Sequence, residues 1–485
     1  MSTPAPVARL DILIQGGVVV DGSGADAVRA DVGICGDRIV AIGDLGGTES
    51  METIDASGHV NAPGFVDVHT HDDRMLLETP AMAPKVSQGV TTVVTGNCGV
   101  SLAPYTGKND PPPPMNLLGG RDWYRFARAA DYTAALEESP AATNAVLLCG
   151  HSSLRASVMD DLTRAATPGE IDRMARMLED ALNAGFAGLS TGLAYPTASA
   201  APTAEVIELA KVAASLGGMH TTHMRDEEDD VMDSIDETVS IGCAAHIPSV
   251  ISHHKVCGQK NYGRTRETLP RITEARKRMP LDLDVYPYIA SSTVLLKNFL
   301  ARAERVMVTW STPHPQMAGR DVSDIAAEWG VSLEEACDRL NPAGAIYFQM
   351  DEEDLKRVIA YPDTMIGSDG LPHDERPHPR LWGTFPRVLG RYVRDQGVLS
   401  LTQAIHRMTG VPARVFGLKD RGAVRPGAFA DLVIFDPDTI CDRATFDDPI
   451  RPADGISRVM SNGQWIWRDS APTGDHPGRH LRRFA

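Results

Sequence analysis

Between residues 59 and 370 the chain alternates eight apolar, strand-like runs with stretches of helical periodicity, and this alternation limits the fold more than any other feature. The runs end near His71, Cys98, His151, Tyr195, His223, His253, Tyr288 and Asp369. Strands joined through helices lie parallel, because the helix supplies the crossover. Eight such units over about 350 residues fit a (β/α)8 barrel with insertions better than an open sheet. One helix carries full boundary signals: Thr167 as N-cap, Pro168 at its first position, an amphipathic run from Glu170 to Asn183, and a stop at Gly185.

Both ends of the chain are β-rich. Leu10 to Gln15, Val18 to Val20, Ala30 to Ile34 and Arg38 to Ile42 read as strands, as do Gly427 to Asp436 and the hairpin around Asn462-Gly463. Residues 1–62 together with 421–485 are therefore expected to build one small β-sandwich domain, and 63–420 the barrel. The interval 291–345 is too long for one helix connection. It holds a strand-like run, Val306 to Pro313, and a helical stretch, Val322 to Arg339, and it reads as a subdomain inserted after the seventh strand, over the active site.

Net charge is -17, which disfavours nucleic acid and anionic membrane as partners. Seven scattered cysteines with no C-x-x-C pair point to free thiols in a reducing compartment. The N-terminus lacks a basic region followed by an apolar stretch, and no apolar run is long enough to cross a bilayer. The expectation is a cytoplasmic protein acting on a small molecule, its oligomeric state left open.

Metal-type side chains cluster at the tips of the strand-like runs. The run from His59 to His71 ends in His69-Thr70-His71, and residues i and i+2 of a strand face the same way. Two converging imidazoles point to a metal site rather than to isolated core histidines. Cys98 ends Gly89 to Gly99; alone it reads as a small buried hydrophobe as easily as a ligand, but the glycines around it allow close backbone approach. The fifth and sixth runs each offer two histidines, His220 or His223 and His253 or His254, and spacing does not choose between them. Asp369, in Gly367-Ser368-Asp369-Gly370, supplies a carboxylate. Nitrogen, thiolate and carboxylate donors together favour zinc over magnesium or calcium. Such a site activates water, and a carboxylate such as Asp369 can take its proton and pass it to a leaving amine. The chemistry expected is hydrolysis at an amide-like carbon.

Pro63-Gly64-Phe65-Val66-Asp67-Val68-His69-Thr70-His71 and the closing run from Gly422 to Val433 resemble the amidohydrolase superfamily. Gly96-Asn97-Cys98-Gly99, Ser190 to Tyr195, Thr222-His223-Met224-Arg225, Ser252-His253-His254-Lys255, Tyr286-Pro287-Tyr288, Gly367 to Gly370 and His378-Pro379-Arg380 are similar to the N-acyl-D-amino acid deacylases within it. The resemblance runs over nearly the whole chain. It implies the barrel, the two-ended β domain and the insertion after strand seven. It selects His223 and His253. It implies a tighter zinc site from Cys98, His223 and His253, and a second, weaker one from His69, His71 and Asp369 that shares Cys98. Asp369 becomes the general acid-base residue.

The resemblance also implies that Lys255, Tyr286 and Arg380 hold the α-carboxylate of a D-amino acid, and two cations with a phenol suit that task. Tyr195 is a candidate donor to the amide carbonyl. His151, His220 and the acidic run Asp226 to Asp230 are read as structural or solvated. Segments 310–315 and 342–348 look most like members acting on N-acyl-D-glutamate, so an acidic D-residue is the expected preference. Those members place an arginine from the insertion against the side-chain carboxylate, where an ungapped match puts Phe299; Lys297 or Arg302 is the candidate substitute. The departure from that arginine leaves D-aspartate or a neutral, apolar D-residue as the alternatives to D-glutamate. A cyclic-amide hydrolase of hydantoinase type would want a bridging lysine where this chain has Cys98, and a metal-free scaffold would have lost ligands that are all present here.

Overall fold

A computed structural model describes residues 9–484. Its central sheet contains β1 (Phe65–Asp67), β2 (Val90–Thr95), β3 (Asn144–Gly150), β4 (Gly188–Gly192), β5 (Met219–His223), β6 (Ser249–Ile251), β7 (Leu281–Val285) and β8 (Met365–Ile366). Every pair of neighbours is parallel and consecutive in the chain, the order of a (β/α)8 barrel. The ladder is interrupted between β1 and β8, which meet beyond their ends through an isolated bridge, Thr70 to Gly370.

Period-two alternation sorts the strand residues. Val94, Val146, Leu148, Met219 and Val250 form the inner core, together with Val411, Val415 and Phe416 of the helix Gly410–Phe416. Val93, Ala145, Leu147 and Cys149 face the other way, into the larger cluster made with the surrounding helices. The helix Pro168–Asn183 has the capping box its sequence announces: Glu170 N–H donates to the Thr167 hydroxyl, and the Glu170 carboxylate accepts from Thr167 N–H. Such a cap contributes about 1 kcal/mol. Met174, Leu178 and Ala181 form its buried stripe.

Strands from both ends of the chain share one seven-stranded sheet: Leu432–Phe435 pairs with Val60–Pro63 on one side and Ile456–Ser461 on the other. A four-stranded sheet from residues 10–55 packs on it through Ile12, Ile14, Val32, Ile34, Leu432, Ile434 and Met460. Asn462 and Gly463, both at positive φ, make the hairpin turn. The C-terminal strand is shorter than Gly427 to Asp436. Only Leu432–Phe435 is strand, and Phe429 instead lies under the guanidinium groups of Arg38 and Arg421. All seven cysteines are free.

Between β7 and β8 a three-stranded antiparallel sheet, Ala290–Val294, Ala343–Phe348 and Arg305–Ser311, packs with short helices around Val308, Ile325, Leu340 and Tyr347. The single helix expected from Val322 to Arg339 is two, Val322–Trp329 and Leu333–Leu340. Gly330 ends the first in a left-handed conformation, and Ser332 caps the second by accepting from Glu335 N–H. Among the described residues no helix is long and apolar enough to cross a membrane.

His220 on β5 is fully buried, its Nε2 3.0 Å from Thr191 Oγ1. Burial pulls its pKa down to about 3. The unfolded chain therefore takes the proton first, and the contribution of neutral His220, complete above pH 6.5, is lost between pH 6.5 and 3. At pH 5 the loss is on the order of 2 kcal/mol. H220Q is expected to flatten the fall in Tm between pH 7 and 5; an unchanged fall would assign the acid lability to other groups.

Candidate metal centre and active site

The strand ends bring six side chains from distant segments together. His69 and His71 follow β1, Cys98 follows β2, His223 ends β5, His253 follows β6 and Asp369 follows β8. Cys98, His253 and Asp369 have left-handed backbones, with φ of 53°, 37° and 49°. Each such residue costs on the order of 1–3 kcal/mol, a strain that surrounding structure sustains mostly at functional sites. Gly192, the last residue of β4, lets the Cys98 backbone pack against that strand: a Cβ on Gly192 would lie 2.1 Å from the Cys98 carbonyl oxygen.

The donor atoms form two groups that share one member. His69, His71, Cys98 and Asp369 make one, Cys98, His223 and His253 the other, and within each group the atoms lie no more than 4.8 Å apart. His253 Nε2 is 3.0 Å from His223 Nδ1 and 3.4 Å from Cys98 Sγ. His69 Nε2 is 3.2 Å from Cys98 Sγ and 3.5 Å from Asp369 Oδ1, which is 3.2 Å from His71 Nε2. Bonds of 2.0–2.3 Å to a tetrahedral zinc put ligand atoms about 3.3–3.6 Å apart, close to these separations. All six residues are buried. The donor set fits zinc.

The far sides of the rings carry the partners that metal-binding imidazoles need. Glu227 Oε1 is 3.0 Å from His253 Nδ1, and Oε2 is 3.7 Å from His223 Nε2. Asp284 Oδ1 is 3.5 Å from His69 Nδ1 and accepts from His253 N–H at 2.9 Å. Asp73 accepts from the Thr95 hydroxyl and from the N–H groups of Gly96 and Leu102, fixing the loop that carries Cys98.

Charge within the cluster follows the same logic. Burial alone would push the Cys98 thiol up, but His69, His253 and His223 outweigh it and hold the thiol well below its usual range. Burial likewise works to raise Asp369, yet Arg380, with Nη1 2.9 Å from Oδ2, and the imidazoles of His69 and His71 keep it ionised. Burial pulls His71 down, but its hydrogen bonds to Asp369 and Cys98 raise it to about 9.

The other candidates divide. Tyr195 sits beside the cluster, its ring centroid 4.8 Å from that of His223, its hydroxyl 3.1 Å from Thr293 Oγ1 of the inserted sheet. The Tyr286 ring lies near both Lys255 Nζ, at 5.8 Å, and the Arg380 guanidinium, at 4.5 Å. Lys255 donates to Glu227 at 2.7 Å, so both cations lean on carboxylates of the site. Lys297 does not join them. It is half exposed on a helix of the insertion and pairs with Asp338 at 2.6 Å. Arg302 pairs with Glu228 and stacks on Phe299, itself part of the insertion's core.

His151 bonds Glu205 and His220 bonds Thr191, and neither belongs to a donor group. The acidic run needs correction at one place: Glu227 is buried under two donor histidines and is not solvated. Nothing in the sequence separates it from Glu228, Asp229 and Asp230 beside it. Asp284 carries a signal, since Leu281-Asp282-Leu283-Asp284-Val285 alternates apolar and acidic along a strand.

Residues 52–243 and 298–466 match the amidohydrolase family. A D-aminoacylase from Alcaligenes xylosoxydans xylosoxydans is 53% identical over 98% of both chains. An N-acyl-D-aspartate deacylase and an N-acyl-D-glutamate deacylase from the same organism are each 47% identical over 98% of this chain, and over 95% and 97% of theirs. Among solved structures, a D-aminoacylase with a binuclear metal centre superposes with a TM-score of 0.95 at 51% identity, covering 98% of this chain and all of that one. The N-acyl-D-glutamate deacylase of Bordetella bronchiseptica, complexed with zinc and a phosphonate mimic of the tetrahedral intermediate, superposes with a TM-score of 0.94 at 47% identity over the same shares.

Proposed function

The chain belongs to the amidohydrolase family, and from that premise we propose that it is a metal-dependent hydrolase of N-acyl-D-amino acids, releasing a carboxylate and a free D-amino acid. The observation that carries the reading is the pair of buried donor groups joined at Cys98, with an ionised Asp369 at one edge. Cys98, His223 and His253 would hold the tighter zinc ion, and His69, His71, Asp369 and the shared Cys98 a weaker one. When bound, zinc supplies Lewis-acid activation of water and of the amide carbonyl.

The protein's own groups then have separate tasks. Asp369 takes the proton of the attacking water and delivers it to the nitrogen of the leaving amine. Tyr195, whose hydroxyl burial keeps protonated, donates to the oxygen that gains charge as the carbonyl carbon becomes tetrahedral. Lys255, Tyr286 and Arg380 hold the α-carboxylate, which competes with Glu227 and Asp369 for the two cations and fixes the amide relative to the donor groups.

Side-chain preference is the finer question. Of the two basic residues named in the insertion, Lys297 is engaged by Asp338 at the surface and Arg302 by Glu228. Meeting a second carboxylate would require one of them to give up its present partner, a cost that a neutral D-residue does not carry, and this favours neutral D-residues. The acidic reading keeps the support of segments 310–315 and 342–348 and of the two 47%-identical relatives named for aspartate and glutamate. A panel of N-acetyl-D-leucine, N-acetyl-D-glutamate, N-acetyl-D-aspartate, N-acetyl-L-leucine and a hydantoin tests both levels. We expect kcat/KM for D-leucine to exceed that for the acidic substrates by about tenfold or more, because a second carboxylate must displace an existing ion pair or go unpaired. Faster turnover of D-glutamate would return the acidic preference, and hydrolysis of the L-isomer alone would overturn the D-amino acid reading.

A further inference from the structure

Seven of the eight strand junctions in the barrel are closed by backbone ladders, and the eighth is not. Across the β1–β8 junction the main chain contributes the Thr70–Gly370 bridge and Asp369 N–H donating to His69 O at 2.8 Å. Gly367 allows the close approach: a Cβ there would lie 2.6 Å from that of His69. Side chains supply the rest. Asp67, on β1, accepts from Ser368 N–H at 2.7 Å through Oδ1, and through Oδ2 from Lys85 Nζ at 2.9 Å. The same ammonium donates to Ser368 Oγ at 2.8 Å and lies 3.3 Å from Asp72 Oδ2. Lys85 and both aspartates are entirely buried.

This seam separates particular donors. His69 and His71 arrive from its β1 side and Asp369 from its β8 side, whereas Cys98, His223 and His253 come from strands within the continuous ladder. Asp67 and Asp72 lie two and one residues from the donor histidines, and Ser368 immediately precedes Asp369. We propose that Lys85 is a positioning residue: its ammonium clamps β1 to β8 and so sets the spacing of the His69, His71 and Asp369 donors, without setting that of the Cys98, His223 and His253 group. The inference rests on the two-site zinc reading above. A buried lysine serving structure alone would be expected to act on stability and on both metal groups alike; a clamp across the seam acts on one.

Two variants separate these cases. S368A removes one acceptor of the clamp, together with the acceptor of Gly370 N–H, and leaves every charge in place, so the lysine variant is needed beside it. K85M removes the ammonium, and its combination with D72N limits the number of uncompensated carboxylates if K85M alone does not fold. Zn2+ titration of the metal-free proteins against a chelator reads the two classes of site directly, with thermal unfolding in parallel. For S368A and for the lysine variant we expect the weaker class to lose roughly tenfold or more in affinity, the scale at which outer-shell partners act, while the tighter class stays within about twofold. Equal losses in both classes, or a weaker class unmoved in S368A and in the lysine variant, would overturn the positioning role. Wild-type protein that takes up no second class of zinc would instead overturn the two-site reading, and the clamp with it.

Discussion

Asp369→Asn will leave zinc bound to Cys98, His223 and His253 while kcat falls by roughly 10²–10⁴-fold, the range that a positioned acid-base group contributes. The prediction follows from where Asp369 stands. It belongs to one donor group only, so the three-donor group survives its loss. Its carboxylate is ionised and therefore ready to accept a proton, and asparagine of the same shape cannot. The Arg380 guanidinium, fully buried, loses its counter-ion at 2.9 Å, so a stability cost of about 3–5 kcal/mol accompanies the change. Zinc content, Tm and kcat are thus measured on the same preparation. A folded, zinc-loaded variant with near wild-type kcat would remove Asp369 from proton transfer.

Cys98→Ala has the opposite signature. Cys98 Sγ is common to both groups, so its removal weakens every class of zinc and activity falls with metal content. The loss of affinity should exceed the roughly 10–100-fold that follows removal of an outer-shell partner, because a direct thiolate ligand is gone. Alanine fills the small buried site without adding a polar group, and the left-handed backbone at this position is no easier for alanine than for cysteine. Wild-type zinc content in C98A, measured by elemental analysis after dialysis, would refute the shared-ligand arrangement.

The barrel is legible in the sequence because its strands are apolar runs with polar tips, and the parallel order follows from the helices between them. Part of the candidate site is legible for the same reason, since His69 and His71 share a strand face; Cys98 alone reads as easily as a small hydrophobe, and His223 and His253 are singled out only by the family resemblance. In the structure His220 and His223 differ in parity along β5. Met219 packs in the barrel interior, so His223, four residues on, lies on that face and His220 does not. What escapes a linear reading is contact between segments far apart. Glu227 is one acid among several until β5 and β6 bring His223 and His253 over it. Lys297 looks available until Asp338, 41 residues later, folds beside it. The break at Gly330 is different, since the glycine and Ser332 after it are local signals that the amphipathic run from Val322 obscures.

The seven-stranded sheet imposes an order of events on biosynthesis. Val60–Pro63 leads directly into β1, yet its partner Leu432–Phe435 leaves the ribosome some 370 residues later. The early edge therefore waits, unpaired on that side, while the whole catalytic barrel is being made. Translation must run past the barrel before the first-made strands can complete their sheet, and a nascent chain arrested short of residue 432 would expose an open strand edge to aggregation.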